Sequence, residues 1–401
     1  MKIPNGWKKV KFGDVVSKIN DKVSNREEWT FERYIGGEHF DEGEIIITRS
    51  APIEGNEEVI GSAFHMRFKP GHVLYVTRNP RLRKGGMVDF EGVCSNVSFV
   101  METDEKQLLQ SLLPFVIQTE DFVKHTCNNA HGSTNPFLNW KDIAKYEFLL
   151  PPIEEQKKIS ETLWSIQDNL KKLQDLNFKT LNIKEMIMNE FIGSKLSFQA
   201  EEINTHHSNK FIKLSDFLSV NPRRELIKKE IHRCINMADL YENDPKIKSS
   251  EEKPFKGSGS KFSNGDTLLA RITPCLENGK IAYVDILNKD EVARGSTEFI
   301  VLSGKEKFSL NKLVYYLAIT PIFKNEAINS MIGTSGRQRV PNSLFDRIKI
   351  ENIPIKEQEK IINLLENVDN TLIKQKEKNL SLKNLRNKLS NELLKGALRL
   401  D

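Results

Sequence analysis

The chain is 401 residues long, carries a formal net charge of +5 and contains four cysteines; 38% of its residues are hydrophobic and 29% are charged. It has no run of about 18 apolar residues and no apolar N-terminal stretch, which argues against a membrane span and a signal peptide. The cysteines are far apart and form no Cys-x-x-Cys pair, which disfavours a disulfide framework and a zinc ribbon. We therefore expect a cytoplasmic protein of two or three domains with reduced thiols.

Residues 1–151 are predicted to form a mixed α/β domain with short strands and glycine-rich turns. The candidate elements, in chain order, are the strands Glu44–Thr48, Val73–Thr77 and Val97–Met101 and a helix over Gln107–Lys124. A turn at Gly132-Ser133-Thr134 follows, and we expect its glycine to serve the backbone conformation.

A basic stretch crosses this first domain. Between Val59 and Val88 the chain has six basic residues and no acidic one. Such a stripe suits contact with DNA phosphates, and the alternative is a solvated basic loop. The candidates for DNA contact in this domain, including the glycine-rich turn, are Arg78, Asn79, Arg81, Arg83, Lys84, Ser133 and Thr134.

Residues 152–195 are predicted to form one long spacer helix. Pro152 suits the first helical position, and Glu154 and Glu155 suit the positive end of the helix dipole. About 38 helical residues would give a rod about 57 Å long. A single apolar stripe follows at spacings of three and four residues, formed by Ile159, Leu163, Ile166, Leu170 and Leu173.

Residues 196–353 are predicted to form a second mixed α/β domain, and residues 354–401 a second spacer helix. The candidate elements of the domain are the strands Thr267–Arg271, Ile281–Val284 and Glu298–Leu302, a helix over Leu310–Asn329 and the turn Gly333-Thr334-Ser335-Gly336. The apolar stripe of the second helix consists of Ile361, Leu365, Val368, Leu372, Leu382, Leu385 and Leu389. Gln375 and Asn379 interrupt this stripe, and we expect them to fix its register.

The two halves of the chain repeat one another. Three pairs of matching segments are each separated by 202 positions. They contain the residue pairs Pro152 and Pro354, Asn189 and Asn391, and Lys11 and Lys213. Such a constant offset predicts a tandem duplication in the order domain, helix, domain, helix. Because each helix has one apolar stripe, we expect the two helices to form an antiparallel coiled coil. The alternative is that each helix packs on its own domain.

The turn of the second domain contains residue types that can read DNA bases. Arginine and lysine commonly bind guanine in the major groove, and asparagine and glutamine commonly bind adenine. Arg337, Gln338 and Arg339 combine both residue types between a glycine and a proline, which makes them the first candidates. Further candidates for contact with bases or phosphates are Arg271, Lys280 and Arg294.

The sequence offers little for an enzyme or a metal site. Phe255-Lys256-Gly257-Ser258-Gly259 fits the loose Phe-x-Gly-x-Gly pattern of a methyl-donor site, but no apolar strand leads into it, so a loop is the prediction. The eight histidines lack the spacing of metal ligands, and His206-His207 lies in a polar linker.

Several motifs resemble the specificity subunit of type I restriction-modification enzymes, over the whole length of the chain. In the first half these are Gly6-Trp7-Lys8-Lys9-Val10-Lys11-Phe12-Gly13-Asp14, Ser95-Asn96, the Gly132 turn and Leu150-Pro151-Pro152-Ile153-Glu154-Glu155-Gln156. The second domain contributes Gly265-Asp266-Thr267-Leu268-Leu269-Ala270-Arg271-Ile272-Thr273-Pro274, Leu276-Glu277-Asn278-Gly279-Lys280, Gly295-Ser296-Thr297-Glu298-Phe299 and Gly333-Thr334-Ser335-Gly336-Arg337-Gln338-Arg339-Val340-Pro341.

The resemblance implies an α+β fold and a non-catalytic subunit that reads a split, asymmetric site on double-stranded DNA. Each target-recognition domain would read one half, and the helices would set the unread gap between them. Two modification subunits, which use S-adenosylmethionine to methylate adenine, and motor-nuclease restriction subunits, which use ATP and Mg²⁺, would be the partners, so no cofactor is expected on this chain. The resemblance points to Glu155, Gln156, Glu357 and Gln358 for partner contact.

Two other functions are compatible with these patterns. One is the specificity subunit of a related composite restriction enzyme, which would share the fold and differ in the reaction of its partner. The other is a coiled-coil scaffold with two protein-binding domains, which the basic stretch and the Arg337-Gln338-Arg339 motif disfavour.

Overall fold

The structure, a computed structural model, describes residues 3–198, 211–334 and 336–400. His206, His207 and Ser335 therefore lie outside the described residues. The chain divides into two compact units, of which the first contains Met1–Asp175 and Lys376–Asp401 and the second contains Leu176–Gln375. Each unit is thus a domain together with a segment from each of the two long helices.

The first unit contains two four-stranded sheets and a two-stranded ribbon. One sheet has the order β2-β9-β6-β7 and is antiparallel throughout, and the other has the order β4-β3-β8-β5 with β3 and β8 parallel. The ribbon pairs β1 with β10. The strands are β1 (Lys8–Lys11), β2 (Val16–Ile19), β3 (Arg33–Ile35), β4 (Ala51–Pro52), β5 (Phe64–Phe68), β6 (Val73–Val76), β7 (Gly85–Met87), β8 (Gly92–Ser95), β9 (Ser98–Thr103) and β10 (Glu147–Leu150).

Helices cover one sheet of the first unit and complete its core. They are α1 (Phe12–Val15), α2 (Leu113–Val116), α3 (Glu120–Asn128), α4 (Trp140–Ala144) and the start of α5 (Ile153–Phe191). Ile159 and Leu163 of α5 join this core. Leu393, near the C-terminus of the chain, is buried in the same cluster.

The second unit repeats this architecture with one additional strand. Its sheets have the orders β13-β20-β17-β18 and β15-β14-β19-β16, and β14 and β19 are the parallel pair. A three-stranded sheet, β11-β21-β12, takes the place of the ribbon. The strands are β11 (Leu196–Ser197), β12 (Phe211–Lys213), β13 (Leu218–Val220), β14 (Ile231–Ile235), β15 (Glu251–Pro254), β16 (Ser260–Phe262), β17 (Thr267–Ala270), β18 (Ile281–Tyr283), β19 (Ala293–Gly295), β20 (Phe299–Gly304) and β21 (Lys349–Glu351).

The helices of the second unit also match those of the first. They are α6 (Leu214–Phe217), α7 (Asn311–Ile319), α8 (Pro321–Asn329), α9 (Leu344–Arg347) and the start of α10 (Ile355–Leu393). Ile361 and Leu365 of α10 enter the core of this unit together with Met188 and Ile192 from the end of α5. The predicted tandem repeat of two mixed α/β domains is therefore confirmed.

The two long helices, each of 39 residues, pack antiparallel within both units. In the first unit the Arg386 guanidinium donates to Gln167 Oε1 at 2.7 Å, and Leu163 of α5 is buried in the same core cluster as Leu393 of α10. In the second unit Lys184 pairs with Asp369 and Gln375 donates to Thr180 Oγ1 at 3.1 Å. The antiparallel pairing is confirmed, and the helix ends additionally pack on the domain of their own unit.

The predicted apolar stripe of the second helix is wrong at one position. Leu385 is 45% exposed, whereas the neighbouring Arg386 is almost completely buried. Burial of this guanidinium is possible because it also donates to the carbonyl of Gly43 at 3.0 Å and lies 3.9 Å from the Glu44 carboxylate. Burial lowers the pKa of Arg386.

Three further element predictions need correction. Glu44–Thr48 is not a strand, because its only ladder contact is a single bridge between Ile46 and Met87, and the side-chain amide of Gln118 binds the carbonyl of Glu44. The helix expected over Gln107–Lys124 is broken before Glu120, and the one over Leu310–Asn329 is broken before Pro321.

Both helix breaks have the same cause. Thr119 and Thr320 are extended, with ψ of 147° and 137°, and each hydroxyl accepts the N–H of the third residue beyond it, which begins a new helix. Proline at position 321 disfavours the helical conformation of Thr320. The first residue of α3 is Glu120 and not a proline, so at this helix the hydroxyl of Thr119 acts as the cap without such help.

Candidate nucleic-acid interface

In the first domain a hairpin is docked on the segment that follows β6. His131 and Phe137 exchange backbone hydrogen bonds of 2.8 and 2.9 Å, which closes the hairpin. The N–H of Leu138 donates to the carbonyl of Thr77 at 3.0 Å, and the N–H of Asn79 donates to the carbonyl of Pro136 at 2.8 Å. Residues 132–136, the first hairpin tip, are held on a fixed support by these bonds.

The second domain holds its hairpin by the same bonds after β17. Ile332 and Arg339 exchange hydrogen bonds of 3.0 and 2.9 Å, the N–H of Val340 donates to Arg271 at 2.8 Å, and the N–H of Thr273 donates to Gln338 at 3.1 Å. Residues 333–338, of which Ser335 is not described, form the second hairpin tip. The two tips therefore have equivalent supports although they differ in length by one residue.

A glycine in the left-handed region starts each tip. Gly132 has φ of +89° and Gly333 has φ of +131°, so the expected backbone role of both glycines is confirmed. At Gly333 an added Cβ would also lie 2.9 Å from the carbonyl oxygen of Arg337. The turn closes tightly there because no side chain is present.

The first tip presents polar side chains to solvent. Ser133 and Thr134 are exposed, and Asn79 donates its side-chain amide to Asn135 Oδ1 at 3.0 Å. The Arg78 guanidinium lies 5.1 Å from the ring centroid of Phe137. The structure thus brings Arg78, Asn79, Ser133 and Thr134 together, and it adds Asn135, which the sequence patterns did not single out.

The other basic candidates of the first domain differ in their availability. Arg83 donates to Glu120 Oε2 at 2.7 Å, and Lys84 donates to the carbonyl of Gly37 at 2.9 Å. Arg81 is exposed, and its guanidinium has no hydrogen bond or ion pair with any described residue. Of these three side chains, Arg81 is the one immediately free to bind a phosphate.

In the second tip the three candidates separate into two kinds. Arg337 and Gln338 are exposed. Arg339 instead forms a bidentate ion pair with Glu298, with hydrogen bonds of 2.8 to 3.1 Å, and this bonding lowers the pKa of the Glu298 carboxyl. Glu298 lies 41 positions from Arg339, so no local sequence signal indicated the pair. Arg339 supports the tip, while Arg337 and Gln338 face the solvent.

Three more basic side chains of the second domain are half-buried. Arg271 donates to the carbonyl of Val340 at 2.7 Å, Lys280 to that of Met237 at 3.1 Å, and Arg294 to that of Pro254 at 3.3 Å. The Nε atoms of Arg271 and Arg294 are buried without a hydrogen-bond partner. Arg271 therefore anchors the hairpin through its backbone and its side chain alike.

The four residues expected to contact partner subunits are in different environments. Gln156 and Gln358 are fully buried, and each binds one backbone N–H and two carbonyls of its own unit. Glu155 accepts from the Trp7 indole at 2.9 Å and from Arg399. Only Glu357 is exposed. Because the two amides do not reach the surface, we correct their assignment from partner contact to support of the fold.

The methyl-donor pattern and the question of a metal site can be examined in the described residues. The Phe255–Gly259 segment is a loop between β15 and β16, as predicted. No group of three or more His, Cys, Asp or Glu residues is placed to hold a metal ion in the part of the chain that the structure describes. Within that part, no helix is both long and apolar enough to cross a membrane.

Comparison with protein families decides the relationship. The model described as the type I restriction modification DNA specificity domain matches twice, over residues 4–184 and 207–382. The chain belongs to this family. Each match includes one α/β domain, one hairpin tip and most of the long helix that follows, so the internal repeat of the chain is a repeat of the family domain.

Known members of this family match the chain either over a segment or over its full length. The chain is similar to the type I restriction enzyme EcoAI specificity subunit of Escherichia coli, with 34% identity over 27% of this chain and 18% of that protein. It is 32% identical to the EcoEI specificity subunit of the same organism, over 38% of this chain and 26% of that protein. The match thus spans about a quarter or less of these two relatives. The MjaVIII specificity subunit of Methanocaldococcus jannaschii is 22% identical over all of this chain and 94% of that protein.

Solved structures show the same fold over nearly the whole chain. A chain from a study of complex assembly and conformational transition of the type I R-M system superposes with a TM-score of 0.60 and 15% identity, covering 99% of this chain and all of that one. The type I restriction-modification S subunit from M. genitalium gives a TM-score of 0.53 and 14% identity, with 98% of both chains covered.

Proposed function

We propose that this chain is the sequence-reading, non-catalytic subunit of a type I restriction-modification enzyme. The single observation that carries the proposal is the pair of hairpin tips, which have the same backbone supports and different exposed side chains. A shared support with divergent tips is what two readers of different targets require. Family membership assigns this scaffold to DNA specificity.

In this proposal each domain reads one half of a bipartite, asymmetric site. The first target-recognition domain is residues 1–151 and the second is residues 196–353, and residues 152–195 and 354–401 are the spacers. Arg337 and Gln338 are exposed at the second tip, where they can reach base edges in the major groove. Ser133 and Thr134 have the corresponding exposure at the first tip.

Phosphate contacts supply affinity and orientation in the same proposal. Arg81 is exposed and has no ion pair with any residue that the structure describes, and Arg78 lies beside the first tip. Arg83, Lys84, Lys280 and Arg294 are partly occupied by intramolecular hydrogen bonds and are the secondary candidates. Phosphate contacts fix the register on the duplex but do not themselves read the sequence.

Catalysis and cofactors are assigned to partner subunits. We propose two modification subunits that use S-adenosylmethionine, and restriction subunits that use ATP and Mg²⁺, in a cytoplasmic complex. Glu357 and the exposed apolar side chains on α5 are candidates for contact with the modification subunits. Patches of exposed apolar side chains commonly mark a protein interface; the exposed large apolar side chains of this helix are Leu176, Phe178, Leu181, Ile183, Met186 and Phe191.

The test is binding of the assembled modification complex to a pool of random double-stranded DNA at several salt concentrations. The proposal predicts selection of a bipartite motif and an affinity that falls steeply with salt, by a log–log slope of about −0.9 for each phosphate contacted. A complex that assembles but shows no salt-sensitive, sequence-selective binding would support the scaffold function instead. Selection of a bipartite motif with a different partner reaction would indicate a related composite restriction enzyme.

A further inference from the structure

Asn135 occupies the position in the first hairpin tip that Arg337 occupies in the second. The carbonyls of Pro136 and Gln338 accept the equivalent N–H groups of Asn79 and Thr273, so Pro136 and Gln338 correspond. Asn135 and Arg337 each lie one residue before them. The correspondence comes from the hydrogen bonds and not from counting forward from the glycines, because the tips differ in length by one residue.

Asn135 is exposed and yet held in place. Its side-chain Oδ1 accepts from Asn79 Nδ2 at 3.0 Å. Asn79 is itself fixed, with φ of +49° and its backbone N–H bound to Pro136. Arg78 donates to the backbone carbonyl of Asn135 at 3.4 Å. A side chain fixed in this way loses little conformational freedom when it binds.

The two asparagines leave a defined pair of polar atoms without partners. With Asn79 Nδ2 donating to Asn135 Oδ1, the acceptor Asn79 Oδ1 and the donor Asn135 Nδ2 have no hydrogen bond to any described residue. If both amides are turned over, the pair still leaves one acceptor and one donor. The amide pair therefore offers one acceptor and one donor in either orientation.

This combination matches adenine and not guanine. In the major groove, adenine presents the N7 acceptor and the N6 donor, whereas guanine presents two acceptors, N7 and O6. The Arg337 guanidinium has donors only and matches guanine. The two tips thus differ in the base they suit at equivalent positions.

We propose that Asn135, supported by Asn79, reads an adenine in the first half-site at the position where Arg337 reads a guanine in the second. The inference rests on the proposed function and adds a specificity-determining residue to it. Asn135 contacts the base, and Asn79 contributes the second polar atom and positions the amide.

The test maps DNA methylation in the host carrying the Asn135→Asp chain in place of the wild type. Asp is isosteric and can still accept from Asn79, but it has no donor for adenine N7. One adenine of the first half-site should lose its preference over the other bases by about 5- to 100-fold, with the second half-site unchanged. Asn135→Arg should move the preference at that same position toward guanine.

The control is Asn169→Ala, which removes another exposed asparagine of the same unit, one whose amide donates to Ser165 on α5. This variant should keep the wild-type motif. A bipartite motif that is unchanged in Asn135→Asp would overturn the inference and leave the proposed function standing. If Asn135→Arg abolishes all methylation, the motif directed by the isosteric Asn135→Asp chain decides whether the inference stands. If the wild-type chain directs no bipartite methylation, the proposed function itself fails.

Discussion

Glu298 and Arg339 form a bidentate ion pair at the base of the second hairpin tip, and the equivalent positions of the first domain hold Val97 and Phe137. In the first domain the N–H of Thr77, just after β6, donates to the carbonyl of Val97. In the second domain the N–H of Arg271, just after β17, donates to the carbonyl of Glu298 in the same way. The backbone is the same, but an ion pair supports one tip and an aromatic ring under Arg78 supports the other. Different side chains have thus stabilised one duplicated support.

Substitution of Glu298 by Ala should loosen sequence reading with little loss of stability. The ion pair is partly exposed and screened by solvent, so its removal should lower the free energy of unfolding only slightly. Freed from Glu298, Arg339 no longer holds the tip, and preference in the second half-site should weaken while the first half-site is unchanged. Selection from random DNA with the assembled complex measures both. Glu306→Ala, at an exposed position, is the control.

The same pair predicts the direction of a pH effect. Hydrogen bonding by Arg339 lowers the pKa of Glu298 in the folded chain. Its stabilisation is therefore fully present above the usual glutamate pKa and is lost as the pH falls through the lowered value. Between pH 6 and 8 the Glu298→Gln and wild-type chains should differ by a constant amount in the free energy of unfolding. A difference that changes across this range would contradict the assignment.

Arg337→Ala should relax the second half-site specifically. A bidentate contact between arginine and guanine contributes about 1–3 kcal/mol to discrimination, and Arg337 is exposed with no ion pair among the described residues. Competition between the selected motif and single-base variants of it gives the loss at each position. Unchanged preference at every position of the second half-site would refute base contact by Arg337.

Arg386→Ala should destabilise the first unit strongly. It removes a buried guanidinium that binds Gln167 and Gly43, and it leaves Glu44 with Lys383 alone. Loss of one partner of a buried charged network costs about 3 kcal/mol. Trp7, Trp29, Trp140 and Trp164 are the four tryptophans of the chain, and all lie in the first unit, so tryptophan fluorescence during urea unfolding reports on it.

The matched control for Arg386→Ala is Lys184→Ala in the second unit. Lys184 occupies the repeat-related position and pairs with Asp369. Its substitution should leave the tryptophan transition in place. A tryptophan midpoint that moves equally in both variants, or in neither, would contradict the assignment of these helix contacts to separate units.

The buried glutamines should matter for folding in both units. Gln156→Ala and Gln358→Ala each remove three hydrogen bonds. The first leaves the N–H of Leu109 and the carbonyl of Gln107 without these bonds, and the second does the same to the N–H of Leu310 and the carbonyl of Phe308. A loss of about 2 kcal/mol is expected for each. Only the first substitution should move the tryptophan transition. Wild-type stability with impaired assembly would instead restore a role in partner contact.

Much of the architecture could be predicted because it rests on local patterns. The constant repeat offset and the spacing of Ile159 and Leu163 indicated the duplication and the helix faces. Arg386 could not be predicted as a buried residue, since its partners Gly43 and Gln167 are distant in sequence and its neighbour Leu385 fits the stripe better. Long-range tertiary contacts decide which polar groups can be buried.

The candidate site shows the same division. The basic stretch and the two glycine-led turns indicated where the tips lie. The role of Arg339 depends on Glu298, and the role of Asn135 depends on a hydrogen-bond register that the unequal tip lengths conceal. Side chains at one surface are brought together by the fold from segments that carry no mutual sequence signal.

The most direct test of the central claim is a genome-wide map of adenine methylation in the host with and without this gene. The proposed function predicts that deletion removes one bipartite motif and that re-expression of the wild-type chain restores it. A methylation map that is the same with and without the gene would contradict the claim that this chain directs modification.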